Sequence, residues 1–293
     1  MSRSGLASKV VITGSIHKEV TTTKKDKESA RHVDAAVGGE DSVNVSKKLI
    51  DRKSLAAITA IKSEWVRYKK EMLSPFKRAP QGCGILKIEN LTEFENKFRE
   101  IHREWEREVN NFCNNYDEVI SESKRRQGSN FNAGDLPNSR EDMRSRFVFE
   151  KVSPYALENP DDLAFALSEG QIDEIKQEIS DDIMNSIRKS LEESFNSITH
   201  MVDKLSNYNP DGETKKDKNY YCSSALENVR RAADSLDNLN FTDDEGIKEI
   251  QKRMRKMLDG HTTESTKQNK ASRNVIVDDA SDIIEKNFSS FGF

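Results

Sequence analysis

Two stretches of this chain place an apolar residue at every third or fourth position over many turns, with polar residues filling the gaps. The first carries Phe94, Phe98, Ile101, Trp105, Val109, Phe112, Tyr116 and Val119. The second carries Ile172, Ile175, Ile179, Ile183, Ile187, Leu191, Phe195, Ile198, Val202 and Leu205. That spacing lines one face of an α-helix, so each stretch predicts a long helix with a stripe to bury. The simplest arrangement packs the two stripes together as an antiparallel hairpin. Steps of 4, 3, 4, 4, 3, 4 and 3 in the first stripe depart from a strict heptad, and five consecutive four-steps make the second drift around its helix. Both departures favour packing within one chain over a long two-stranded coiled coil.

Shorter patterns fill in the rest. Val10-Val11-Ile12-Thr13, Ile16 and Val20 to Thr23 are β-branched and predict one strand or two over 10–22, with Gly14 as a bend or bulge. Lys24 to Asp41 reads as a charged, glycine-bearing loop. Leu49, Leu55, Ile58, Ile61, Trp65, Tyr68 and Met72 predict a helix that stops before Ser74-Pro75. Segments 84–88 and 147–152 predict two further strands, the second closed by Ser153-Pro154. Asn90 with Glu93, Ser168 with Gln171, and Thr242 with Glu245 stand at capping-box distance. Asn159 to Asp162 opens another helical stretch, and Asn207 to Gly212 is a strong breaker. Two more helices follow, striped by Cys222, Leu226, Val229, Ala233, Leu236 and Leu239 and by Ile247, Ile250, Met254 and Met257, with Leu239 to Asp244 as the corner between them. The expected fold is mainly α: a long antiparallel helical hairpin or bundle with a small accessory β-sheet and a flexible C-terminal tail. Its organisation reads as an N-terminal strand and loop (1–45), a helical core with the sheet (46–260), a flexible linker (261–274) and an acidic-aromatic tail (275–293).

Composition agrees with long two-faced helices. Of 293 residues 34% are hydrophobic and 33% charged, and the mean hydropathy is −0.82. The formal charge of −4 gives no global attraction to nucleic acid or anionic lipid, so such binding needs a local patch. Three cysteines, Cys83, Cys113 and Cys222, lie far apart with no metal-like spacing. An odd number of cysteines, no signal-peptide core and no apolar run of membrane-spanning length read as a soluble, reduced, cytoplasmic protein.

Motifs for chemistry are sparse. There is no phosphate-cradling glycine loop and no nucleophile elbow, and His17, His32, His102, His200 and His261 have no ligand-spaced neighbours, so neither a metal nor a cofactor is expected. Asp243-Asp244 reads as the acidic start of a helix that Lys252, Arg253, Arg255 and Lys256 close at its other end. Basic residues next to aromatic ones raise a single-stranded nucleic-acid groove: Lys124, Arg125 and Arg126 with Phe131, Lys215, Lys216 and Lys218 with Tyr220, and Arg230 with Arg231. Solvated helix ends explain the same charges.

The C-terminus is the sharper signal. Asp278, Asp279, Asp282 and Glu285 lead to Phe288, Phe291 and Phe293. Such a tail resembles the partner-recruiting tips of bacterial and phage single-strand-binding proteins, whose ring and terminal carboxylate dock in a basic pocket. An amphipathic helix folded back on the bundle through Val277, Ile283, Ile284 and Phe288 fits the same residues.

Several residues, taken in order, resemble an uncharacterised family of helical bacteriophage and prophage proteins, a domain of unknown function. They are the strand around Val10 to Ile16, Ser46-Lys47-Lys48-Leu49-Ile50, Gly84-Ile85-Leu86, Tyr116, Phe131-Asn132, Pro137, and the strand from Phe147 to Pro154. Most specific are Asn228-Val229-Arg230 and Leu239-Asn240-Phe241-Thr242-Asp243-Asp244. The resemblance spans about residues 9 to 260. Members are often encoded near MoxR-type AAA+ ATPases and von Willebrand A-like proteins. The resemblance therefore implies a non-enzymatic adaptor acting with a partner ATPase or a replication assembly, and it carries no catalytic residues. The alternative is a single-stranded nucleic-acid-binding protein whose acidic tail competes with DNA and recruits partners.

Overall fold

The computed structural model describes residues 10–40, 42–77, 79–156, 168–209 and 224–291, with side chains to Ser289. These residues form ten α-helices and five strands. They divide into two compact units, each discontinuous in sequence. One takes the described residues of Met1–Gly14, Tyr68–Thr92 and Ser153–Phe293, the other Ser15–Arg67 and Glu93–Val152. The core expected over 46–260 is thus split between two cores. The helical stretch opening at Asn159 lies outside the described residues.

Strand β1 (Val10–Lys18) is the middle of a three-stranded sheet, flanked by β4 (Cys83–Lys87) and β5 (Val148–Ala156). Strands β1 and β4 are antiparallel, with Val10 opposite Lys87, Ile12 opposite Ile85 and Gly14 opposite Cys83. β1 runs straight through Gly14, where a bend was expected. The reason is close approach: a Cβ there would stand 2.4 Å from the Gly82 carbonyl oxygen and 2.6 Å from Cys83 Cα. β5 likewise continues past Pro154, which a strand tolerates on the edge of a sheet, where its missing N–H costs no ladder bond.

The segment expected as a loop over 24–41 holds structure of its own. Strand β2 (Thr23–Lys25) pairs with β3 (Ser46–Lys48), and between them lies helix α1 (Lys27–Val37). Asp26 caps α1 by accepting from Ser29 N at 3.0 Å, and Gly38 ends it in the left-handed region at φ 70°. Only Asp34 of this helix is buried, so no apolar stripe announced it. Lys24 and Lys47 both pair with Asp135, whose side chain is almost fully covered.

The same unit is built on aromatic packing. Helix α2 (Ala56–Met72) brings Trp65 against Phe94 and Phe98 of α3 (Leu91–Asn114). Phe149 of β5 lies among Trp65, Phe98 and Trp105, and Phe147 packs on Trp105 and Phe112. The first long stripe thus covers the aromatic residues of its own unit. Its helix breaks once, at Asn115, before α4 (Tyr116–Gln127), where the Asn115 side chain donates to the Asn111 carbonyl at 3.0 Å. Tyr116 donates to the Pro137 carbonyl at 2.8 Å, and burial pushes its hydroxyl up to about 12, so it stays a donor at neutral pH. A short helix, α5 (Arg140–Arg144), precedes β5.

The other unit is a bundle. Helix α6 (Glu169–Ser206) opens on the expected capping box of Ser168 and Gln171. It packs against α7 (Ser224–Leu239) and α10 (Lys270–Asn287), while α8 (Glu245–Met257) packs on α7 and α10. The second stripe is buried here, through Ile183, Ile187, Leu191, Ile198 and Leu205, with Met201 beside it, in one core with Val10, Ile12, Phe76 and Ile85. The hairpin of stripe on stripe is therefore replaced by two stripes buried separately, because each found enough apolar surface in its own unit.

The corner between α7 and α8 is tied by Asn240, which is 3% exposed. Its Oδ1 accepts from Asp244 N at 2.9 Å and from the Thr242 hydroxyl at 3.2 Å, and its Nδ2 donates to the Asp244 carbonyl at 3.0 Å. Asp243 turns at φ 55°, and Asp244, not Thr242, caps α8 by accepting from Ile247 N at 3.1 Å. Asn240→Ala leaves buried backbone groups unsatisfied and is expected to cost about 2–3 kcal/mol. A urea midpoint equal to that of the parent chain would show that the corner holds without this side chain.

Residues 261–274, expected as a flexible linker, are folded. Helix α9 (Thr263–Gln268) has a Thr262–Ser265 capping box, and Asn269 caps α10. Two arginines hold them. Arg230 donates to the His261 carbonyl at 2.5 Å, while Arg273, 6% exposed, donates to the Thr266 carbonyl at 2.8 Å and lies 4.9 Å over the Tyr208 ring. This polar segment is held both by the local Arg273 bond and by Arg230 and Tyr208, which are distant in sequence.

Candidate functional site

The acidic C-terminal segment forms α10, and its seat follows from its own periodicity. Ile276, Ala280 and Ile283 are buried at helical spacing, and Phe288 after the helix is fully buried, its ring 5.5 Å from that of Phe195 on α6. The tail expected to be flexible is thereby docked on the bundle, because these apolar residues lose water only by packing there.

The acidic residues take two positions. Asp278, Asp279 and Glu285 are exposed. Asp282 is half-buried, paired with Arg253 of α8 and with Lys286 at 2.5 Å, and Arg253 also donates to Asn287 Oδ1. The Lys286 bond, and then that of Arg253, hold the Asp282 carboxyl below its usual range against the opposing effect of burial. Beside this pair, Lys252, Lys256 and Asp279 line a cleft of about 340 Å³ between α8 and α10. The arrangement presents an outward acidic strip on a helix whose orientation is fixed by one ring and one ion-pair cluster. The sequence placed Phe195 in the second stripe and Arg253 among the cations closing its helix, and neither assignment showed that they hold the tail. The side chains of Phe291 and Phe293 lie outside the described residues.

The described candidate nucleic-acid residues fall in both units, and several are engaged by neighbouring side chains or carbonyls. Arg125 pairs with Glu122 at 2.6 Å and Arg126 with Asp51 at 3.4 Å, while Lys124 is exposed and Phe131 half-buried. Arg230 binds the carbonyls ending α8, and Arg231 donates to Asn228 Oδ1 at 2.6 Å. Lys215, Lys216, Lys218 and Tyr220 lie outside the described residues.

His17 and His102 both lie against the Phe149 ring, with centroids 6.5 and 5.8 Å away. His102 stacks within the aromatic core, His261 Nδ1 contacts the Ser272 hydroxyl at 2.9 Å, and His32 and His200 are exposed. Among the described residues, no group of three or more His, Cys, Asp or Glu is placed to hold a metal ion, and no helix is long and apolar enough to cross a membrane.

A family of proteins of unknown function (DUF3150) matches residues 10–277. The chain belongs to this family. Its match takes in the sheet, the aromatic unit and the bundle as far as the first half of α10, and it ends before Asp278 and the acidic strip. No curated protein and no solved structure matches the chain.

Proposed function

We propose that this chain is a non-enzymatic helical adaptor of phage or prophage type that engages a partner ATPase or a replication assembly through α10. The observation that carries this reading is the docked tail. Phe288 and Asp282 spend their side chains on holding α10, and Asp278 and Glu285 are left facing outward, with Asp279 exposed at the cleft beside α8. A strip of carboxylates on an oriented helix suits a basic surface on a protein, because electrostatic complementarity speeds encounter and sets register. The genomic neighbourhood that the resemblance implies supplies the class of partner, an AAA+ ATPase.

The test compares the full chain with D278N/D279N/E285Q in affinity purification from the native host, read by mass spectrometry. All three positions are exposed, so the triple variant is expected to unfold within about 0.5 kcal/mol per site of the parent. An AAA+ ATPase recovered with the parent chain and depleted at least about five-fold with the variant supports the reading, since rim charges act on association. Equal recovery by both forms removes α10 from it. No ATPase, together with salt-sensitive binding of a single-stranded oligonucleotide, replaces the adaptor with the nucleic-acid binder.

A further inference from the structure

Apart from α10, the bundle unit contains a cleft of about 250 Å³ whose lining is basic, although the chain as a whole is acidic. Lys69 and Lys70 reach it from the last turn of α2, and Lys189 from the middle of α6. Glu193 is the one carboxylate among the lining residues, and it pairs with Lys70 at 3.2 Å. Lys69 donates to the Gly82 carbonyl at 3.1 Å, and burial pushes its ammonium down from the usual lysine value. Lys189 is exposed and makes no bond or ion pair with the described residues.

Hydroxyls share the rest of the lining with apolar Leu73, Pro75 and Leu239. Ser190 on α6 and Ser235 on α7 face the cleft without a hydrogen-bond partner for their side chains among the described residues. Ser74, at the cleft floor, is fully buried, and its hydroxyl has no partner either. An orphaned buried hydroxyl is costly, and such groups mark places where something is missing from the hydrogen-bond inventory.

We propose that this cleft binds a small molecule bearing a phosphate group. Three ammonium groups against one paired carboxylate select an anion. Donors arriving from α2, α6 and α7 suit a tetrahedral oxyanion with three terminal oxygens better than a planar carboxylate with two. The three lysines line a single cleft, which fits one phosphate group on a compact molecule better than the track of a nucleic-acid backbone. The volume lies just below the usual range for ligand pockets, so the molecule is small. This inference rests on the lysines and serines alone and is independent of the role proposed for α10.

Calorimetric titration of the full chain with inorganic phosphate, a sugar phosphate, a nucleoside monophosphate and a single-stranded oligonucleotide tests it. Lys189→Ala changes an exposed, unpaired side chain, so it leaves the fold intact. Lys69→Met removes the half-buried ammonium, and Lys252→Ala on α8 is the control. At least one small phosphate compound is expected to bind with a Kd below about 1 mM, weakened about ten-fold or more by Lys189→Ala, as loss of a charge-assisted contact requires. Lys252→Ala should bind as the parent does. No heat with any small phosphate compound up to about 10 mM overturns the proposal, because such affinity falls below that of a specific site. So does binding that is unchanged in both Lys189→Ala and Lys69→Met. Binding of the oligonucleotide alone assigns the lysines to a backbone contact and equally overturns it.

Discussion

Replacing Trp65 by alanine is expected to cost the aromatic unit about 3–5 kcal/mol, the range for deleting a large buried ring. Trp65 is 0% exposed, and its indole N–H donates to the Ser15 hydroxyl at 2.6 Å. Its ring lies 5.2 Å from Phe94, 5.4 Å from Phe98 and 6.0 Å from Phe149. Truncation therefore removes a ring from the centre of a cluster whose members also depend on one another. A loss of that size is a large part of the about 5–15 kcal/mol by which domains are stable. Trp65→Phe keeps most of the buried surface and gives up the indole bond, so about 1–2 kcal/mol is expected. Trp105, the other of the chain's two tryptophans, lies in the same unit and reports its unfolding by fluorescence. A urea midpoint unmoved by Trp65→Ala would mean that the cluster repacks around the hole.

The sequence was most legible where one residue's neighbours decide its state. The striped stretches became helices, Ser168 and Gln171 capped α6, and Leu239 to Asp244 formed the corner. Periodicity states that a face is buried without stating against what, which is why the two long stripes were expected on each other and lie in separate cores. Helix α1 hid in a charged segment because its order comes from its caps and from strands tied down at Asp135, a residue far along the chain. Residues 261–274 looked structureless because Arg230 and Tyr208, which hold their neighbourhood, lie outside any local window. The basic cleft was invisible for the same reason: Lys69 and Lys189 line one cleft but lie 120 residues apart in sequence. The tail was half legible. Its apolar stripe gave the docked helix, while its acidic residues suggested a free peptide, and burial of four apolar groups outweighs the charge that would keep it in water.

Phe288→Ala is the second large effect, and it bears on what the tail does. The ring is 0% exposed and packs edge-on against Phe195, so its removal carries a nominal cost of about 3–5 kcal/mol. Because Phe288 follows the last turn of α10, the structure can avoid that full cost by releasing the segment, so the loss is expected locally. Amide exchange over 270–291 should accelerate strongly while the centre of α6 and α7 stays slow. Phe288→Leu, which refills most of the space, should keep the segment protected. If exchange rises equally everywhere, α10 is part of the global folding unit and does not detach. Release also separates two ways of using the tail. A partner that reads the carboxylate strip on a fixed helix binds Phe288→Ala more weakly, because the helix must first be reordered. A partner that takes the tail as a free peptide binds it more tightly, because the bundle no longer competes for the segment. The direction of that change decides whether the docked α10 is the presented surface or the stored form of one.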